Sequence, residues 1–355
     1  MAQLKQALPE GPVDIIGDVH GEAEALRNLL VRLGCDIEAG TVERPLIFVG
    51  DLVDRGPNSP AVVEIVIKLV DAGVAHCVLG NHELNILLGD RKEGNGWIRG
   101  DASDHHQFVE GDEVREELFG SVPATPSDAE RYIAFFKTLP LILERADLRV
   151  VHACWHSPAI ERVPDEGDVA ELVREWATEI HKDHKARGLW AKEKEERAAF
   201  ADLKRLDVRP TRDLPAHGAA AEERQSNHPI KVLTSGREER VSFGEIFFVG
   251  GKWRFVKRFD WWNHYDEAPA VVVGHYWRGR DGARIEGKPD VWATPGFGDW
   301  TGARRNVFCV DYSVGRRFVE RARGTSSDFI GGLVALRWPE RTLVFDDRDG
   351  EFPTT

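Results

Sequence analysis

Six side chains able to hold a divalent cation each stand just after an apolar run of this chain. They are Asp18, His20, Asp51, Asn81, His152 and His275. The first pair lies in Gly17-Asp18-Val19-His20-Gly21 and the next in Gly50-Asp51-Leu52-Val53-Asp54-Arg55-Gly56. Gly80-Asn81-His82-Glu83, His152-Ala153-Cys154-Trp155 and Gly274-His275 complete the set. A carboxylate at a strand end either caps the following helix or holds a cation. Asn58 and Ser59 sit nearer the next apolar helix and can cap it, which leaves Asp51, Asp54 and Arg55 for chemistry. Standing alone, the Asp51 stretch would read as an Asp-rich turn; it does not stand alone. Oxygen and imidazole donors in these proportions suit manganese, iron or zinc rather than calcium or a thiolate site. Six donors exceed the needs of one catalytic ion, which usually keeps an open position. They match two ions sharing a carboxylate, which typically sit about 3.5–4 Å apart, activate a bridging water and bind an ester oxygen.

Three further residues complete the chemistry. Arg55 offers a planar, permanently charged fork for phosphate. His82, beside Asn81, can protonate a leaving oxygen, a step worth roughly 10²–10⁴ in rate. Asp54 can hold the His82 ring charged, because a neighbouring carboxylate favours imidazolium. Together they describe phosphoester hydrolysis.

The elements that must position these residues follow from periodicity. Val13–Ile16, Leu46–Val49 and Ala75–Leu79 read as buried strands. Leu26, Leu29, Leu30 and Leu33 fall at helical spacing, as do Val62, Ile65, Val66 and Leu69, and then Leu84, Leu87 and Leu88. The first ninety residues therefore repeat strand, polar motif and helix three times, which is βαβ architecture with a mostly parallel sheet. Ligands in such sheets bind beyond the carboxyl ends of the strands, where all three motifs fall. Leu148–Val151, Ala270–Val273 and Val307–Val310 read as later strands. Leu333–Leu336 and Thr342–Phe345 read as a closing hairpin, with these late strands building a second sheet. Gly94 to about Ser127 reads as loops with a short acidic helix, Thr211–Pro229 as a loop, and Val241–Trp262 as a hairpin around Gly250-Gly251. Residues 164–213 are dominated by charge and read as a helical insertion, or cap, within a single domain spanning 1–355. In that insertion His181 and His184 share a helical face, either as a metal pair or as part of a solvated surface. Trp261 and Trp262 either close the core or wall a substrate cleft.

The chain has 355 residues and a net charge of -13. No apolar run is long enough to span a membrane. The opening residues MAQLKQALPE show no basic-then-apolar signal pattern, so a cytoplasmic location with no membrane partner is expected. The acidic balance argues against nucleic acid as main partner. Cys35, Cys77, Cys154 and Cys309 show no CxxC spacing and read as buried thiols in a reducing compartment.

GDVHG, GDLVDRG and GNHE, in this order on successive strands, resemble the calcineurin-like metallophosphoesterases. More narrowly they resemble the phosphoprotein phosphatase branch, which includes bacterial dinucleoside tetraphosphatases and serine/threonine phosphatases. The close match covers about residues 12–90 and thins to single anchors at His152, Gly274-His275 and Asp311. The resemblance implies an α/β fold, a four-layer α/β/β/α sandwich. It implies that Asp18 and His20 bind one metal, that Asp51 bridges, and that Asn81, His152 and His275 bind a second. It implies Arg55, with Asn81 and His82, on phosphate, His82 as acid, and Asp54 in support. Two divalent ions, manganese first, are expected, with a phosphorylated small molecule, nucleotide or phosphoprotein as substrate. A dinucleoside-polyphosphate hydrolase or phosphatase is the leading expectation; a serine/threonine or tyrosine protein phosphatase and a metal-binding scaffold are the alternatives. A nuclease fits less well, because nuclease relatives generally lack the Asp54-Arg55 motif. The chain departs from the family after His152, where HGG or HAG is usual. The family's second phosphate-binding arginine is left open among Arg237, Arg240, Arg254 and Arg258.

Overall fold

The computed structural model describes residues 2–92, 94–101, 105–110, 113–118, 120–199, 203–204, 208–249, 251–280, 292 and 296–355. Two sheets carry the predicted site residues. In chain order their strands are β1 (Lys5–Ala7), β2 (Val13–Ile16), β3 (Leu46–Phe48), β4 (Ala75–Cys77), β5 (Ile142–Glu144) and β6 (Leu148–Val151). There follow β7 (Ala270–Val273), β8 (Val307–Cys309), β9 (Val334–Trp338), β10 (Thr342–Phe345) and β11 (Phe352–Pro353). One sheet runs β11-β10-β9-β2-β3-β4, the other β8-β7-β6-β5-β1. β2, β3 and β4 are parallel, as the βαβ reading requires.

Period-two alternation sorts the side chains into layers. Val13, Ile15, Ile47, Leu148, Val150, Ala270, Val272 and Phe308 belong to one buried cluster that draws on both sheets. Their strand neighbours Ile16, Leu46, Phe48, Val151, Val271, Val273 and Cys309 belong to a second cluster, shared with helices α1 (Ala23–Arg32) and α2 (Ser59–Asp71). The central strands are thus buried on both faces, between a partner sheet and a helical layer. This is the expected α/β/β/α arrangement. Asn58 caps α2, its Oδ1 accepting from the Ala61 amide at 3.0 Å, so Asp51 and Asp54 are not needed as caps.

The closing strands depart from expectation. β9 pairs antiparallel with β2, and β10 with β9, so the hairpin widens the first sheet instead of building the second. Residues 105–110 and 113–118 pair as antiparallel strands, not as loops with a helix. Three further helices are α3 (Asn81–Leu87), α4 (Pro126–Phe136) and α5 (Ser157–Arg162). The charged stretch folds into α6 (Val169–Ala186) and α7 (Leu189–Ala199). The expected loop at 211–229 instead contains α8 (Pro215–Ser226), and α9 (Pro229–Ser235) follows. Proline at the first turn of both suits a helix start. Residues 200–202 and 205–207 of the insertion, and Gly250 of the predicted 241–262 hairpin, lie outside the described residues; Phe247–Val249 and Lys252–Arg254 do pair antiparallel. Among the described residues no helix is long and apolar enough to cross a membrane.

Asp14 is an anomaly in β2. Its carboxylate is fully buried, neither oxygen has a hydrogen-bond partner, and the cross-strand Arg337 Nε stands 3.6 Å away. Burial, partly opposed by Arg337, pushes its pKa up to about 6 from 3.8. The unfolded chain therefore releases this proton first, and stability falls as pH rises from about 4 through about 6. Asp14→Asn removes that loss. Its stability relative to wild type, measured by urea unfolding, is expected to improve by about 1 kcal/mol between pH 5 and pH 7.5. An unchanged difference across that range would contradict the assignment.

Candidate metal centre and active site

The strand-end motifs converge as predicted. Asp18, His20, Asp51, His82, His152 and His275 are all buried, and Asn81 opens α3 beside them. Several motif backbones are strained: His20, Asp51, Asp54, Arg55 and His275 all have positive φ without being glycine. Such conformations cost of order 1–3 kcal/mol each and persist where the surroundings over-determine them. Two motif glycines are forced by close approach. A Cβ on Gly80 would stand 2.2 Å from the Asp51 amide nitrogen, and one on Gly274 2.0 Å from Asp18 Oδ1.

Two donor groups share Asp51. One comprises His20, Asp51 and His82, the other Asp51, His152 and His275, with ligand atoms inside each group within 4.8 Å of one another. Asp51 Oδ2 lies 3.3 Å from His152 Nε2, 3.8 Å from His82 Nε2 and 3.9 Å from His20 Nε2. Asp18 Oδ2 lies 3.9 Å from His20 Nε2, and the His275 amide donates to the Asp18 carboxylate at 3.1 Å.

The tautomers suit cation binding. His152 Nδ1 donates to the Val49 carbonyl at 2.7 Å and His20 Nδ1 to the Val53 carbonyl at 3.1 Å, turning each Nε2 inward. His152 Nε2 then faces two oxygens, Asp51 Oδ2 and Asn81 Oδ1, both at 3.3 Å. A proton or a cation on Nε2 reconciles three such atoms. Asp311 adds a buried Oδ2 with no partner.

The charges tell the same story. Burial lifts Asp18 well above the usual carboxylate range, helped by Asp311 and Asp51. Burial also raises Asp311. For Asp51 burial is overcome by His152, His82 and His20, which hold it well below its ordinary value. His20 and His275 are pushed well below theirs by burial, and then by Arg55 and Arg258 respectively. His152 moves the other way: burial would lower it, but Asp51 outweighs burial and raises it. Neutral His20 and His275, beside carboxylates short of positive charge, fit divalent cations.

Beside this centre, Arg55 Nη1 donates to His20 Nε2 at 2.6 Å and Nη2 to His82 Nε2 at 3.3 Å. The Trp277 ring lies on its guanidinium at 4.6 Å. His82 Nδ1 donates to Asp54 Oδ2 at 2.6 Å. An arginine fork, a carboxylate-held histidine and a shared-carboxylate donor set thus stand together where strand ends of the two sheets meet.

Residues 11–187 match the calcineurin-like phosphoesterase family. A bis(5'-nucleosyl)-tetraphosphatase PrpE of Bacillus anthracis is 31% identical over 190 residues, 51% of this chain and 73% of the relative. This chain belongs to the calcineurin-like phosphoesterase family. A PrpE tetraphosphatase of Oceanobacillus iheyensis is 47% identical over 74 residues, 20% of this chain and 30% of the relative. The chain thus spans less than a third of the length of that relative. A serine/threonine phosphatase structure from Saccharomyces cerevisiae aligns over 100% of this chain and 84% of its own at 11% identity and a TM-score of 0.42.

In this family member the sequence reading missed three buried residues. Glu83 accepts backbone amides from Asp51 (3.0 Å), Leu52 (2.8 Å) and Gly80 (3.1 Å), tying two motifs together. Burial, and then Asp51, pushes its pKa up to about 7. Asp311 was noted only as an anchor. Trp97 donates from Nε1 to Asp54 Oδ1 at 2.7 Å. Glu83 lies inside a motif and was the most findable; Trp97 carried no signal.

Of the arginines left open, Arg258 comes closest to the donor groups: Nη1 reaches the His275 carbonyl at 3.5 Å and its guanidinium covers Tyr276. Arg237 lies on Phe259 and within electrostatic reach of His156, Arg240 turns to Pro215 and Glu222, and Arg254 acts on Glu238. Trp261 and Trp262 close the core behind the second donor group; Trp261 Nε1 donates to the Ala153 carbonyl at 3.1 Å, and Trp262 packs on Tyr276 and Trp292. His184 meets Glu223 at 2.9 Å in a network that Arg187 already joins through Asp183 and Glu223, while His181 meets Trp190 edge-on. His181 and His184 form no pair.

Proposed function

We propose that this chain hydrolyses phosphoesters with two divalent ions, and that its substrates are nucleotides of the dinucleoside-polyphosphate class. The observation that carries the reading is the pair of donor groups sharing Asp51, set against Arg55 and the His82–Asp54 pair. Asp18, His20 and Asp51 would hold one ion; Asp51, Asn81, His152 and His275 the other. The ions when bound supply Lewis acidity and an activated water. Arg55, clamped by Trp277, presents its fork to the phosphate oxygens. His82, aligned by Asp54, delivers a proton to the departing oxygen. Manganese is proposed first among the ions, from a donor set of oxygen and imidazole that suits iron and zinc as well. The nucleotide preference is supported by the tetraphosphatase name of the relative matched over 190 residues.

Residues 164–213 are proposed to shape substrate access as a cap. A reducing, cytoplasmic location is supported by four buried free thiols; fractionation that finds the protein elsewhere would overturn it.

The test is a manganese-supplemented hydrolysis panel with diadenosine tetraphosphate, p-nitrophenyl phosphate, phosphoserine and phosphotyrosine peptides, and a cyclic dinucleotide. Preference for diadenosine tetraphosphate is expected, and exchanging exposed residues of α7 should alter preference within the panel. Preference for a phosphopeptide would transfer the chain to the protein phosphatases.

A further inference from the structure

We propose that Trp97 is a positioning residue for proton delivery: its indole N–H fixes the Asp54 carboxylate so that the opposite oxygen holds His82. This rests on the hydrolase reading above and extends it to a residue outside every motif of the sequence. The geometry is a three-member chain. Trp97 Nε1 donates to Asp54 Oδ1 at 2.7 Å, and His82 Nδ1 donates to Asp54 Oδ2 at 2.6 Å. Each carboxylate oxygen thus has one side-chain donor, and the Asp54 side chain is wholly buried. No water from bulk reaches it to replace a lost donor. The Asp54 backbone is held in a left-handed conformation with its amide on Ser59 Oγ at 3.0 Å, so the backbone is anchored while the carboxylate still needs a second contact to set its rotation.

Trp97 is itself built in firmly. It is 1% exposed and packs on Tyr132 of α4, with ring centroids 6.3 Å apart. Its carbonyl accepts the Ala124 amide at 2.8 Å, and the preceding turn is held by Asn95, whose side chain bonds the Asp90 carbonyl at 2.8 Å. A buried Trp N–H needs a partner. Here that partner is the carboxylate behind the proposed acid. An apolar ring would fill the same space without aligning Asp54, so the N–H is what does the positioning.

The experiment compares two phosphate esters that differ in how much they need a proton. An alkyl phosphate has a poor leaving group and depends on protonation; 2,4-dinitrophenyl phosphate does not. Trp97→Phe keeps an aromatic ring and deletes the N–H. Its kcat on the alkyl ester is expected to fall about tenfold to a hundredfold, a fraction of the roughly 10²–10⁴ that full general acid catalysis provides. Its kcat on the dinitrophenyl ester should change less than twofold, with KM and bound manganese unchanged. Equal losses on both esters, or no loss on either, would overturn the proposal. If Trp97→Phe does not fold, incorporation of 3-benzothienylalanine at position 97 replaces N–H by sulfur at nearly constant shape and must give the same split. Adding either change to Asp54→Asn should cost nothing beyond Asp54→Asn alone; an additive loss would overturn the proposal. Wild-type protein inactive on both esters would refute the hydrolase reading itself, a result distinct from failure of the split.

Discussion

Asp51→Asn is expected to lower hydrolysis by on the order of 10³-fold or more and to leave the protein with fewer than two tightly bound divalent ions. Asp51 belongs to both donor groups, and its Oδ2 faces three imidazoles at 3.3–3.9 Å. Asparagine keeps the shape, and its carbonyl can keep the Oδ1 contact that accepts the His82 amide at 2.9 Å. What it removes is the charge. The fold should survive, because the substitution also relieves repulsion between Asp51 and the buried Asp18. Metal content by elemental analysis and turnover on the same sample check this. Near-normal turnover would sink the shared-carboxylate account.

His82→Ala is expected to cut turnover roughly 10²–10⁴-fold while leaving two ions bound. The ion count matters because the geometry admits a second role. His82 Nε2 belongs to the first donor group and lies 3.8 Å from Asp51 Oδ2, whereas Asp18 is engaged by the His275 amide. As a ligand, His82 would take an ion with it when removed. As an acid, it would leave the ions and lose only the proton. The Asp54 contact on Nδ1 favours the acid, since it orients the ring, and the Arg55 Nη2 contact at 3.3 Å must give way for Nε2 to carry the proton. Parallel loss of metal and activity would make it a ligand.

What could be read from the chain was whatever is written as side-chain type at a strand end. Asp18, His20, Asp51, Asn81, His152 and His275 follow apolar runs; parallel strands bring the first four together at the ends of one sheet and His152 and His275 together at the ends of the other. Glu83 was present in the motif but mute. Its role depends on the amides of Asp51, Leu52 and Gly80, and backbone groups have no residue code. Trp97 sits amid polar residues with no periodicity, and only tertiary closure brings its N–H to Asp54. The closing hairpin was visible as a hairpin. Its sheet was not, because an antiparallel partner for β2 has the same alternation as a strand of the second sheet. The α8 helix was hidden by a mostly alanine and polar sequence that carries little amphipathic signal.

The central claim is that two ions on a shared Asp51 make this chain a hydrolase. Titrating manganese into chelator-stripped protein tests it most directly, with bound ions counted and phosphate release followed in the same samples. The account predicts two ions per chain, with release setting in as the second binds. Two bound ions with no hydrolysis of any panel substrate, or hydrolysis that survives complete removal of metal, would contradict it.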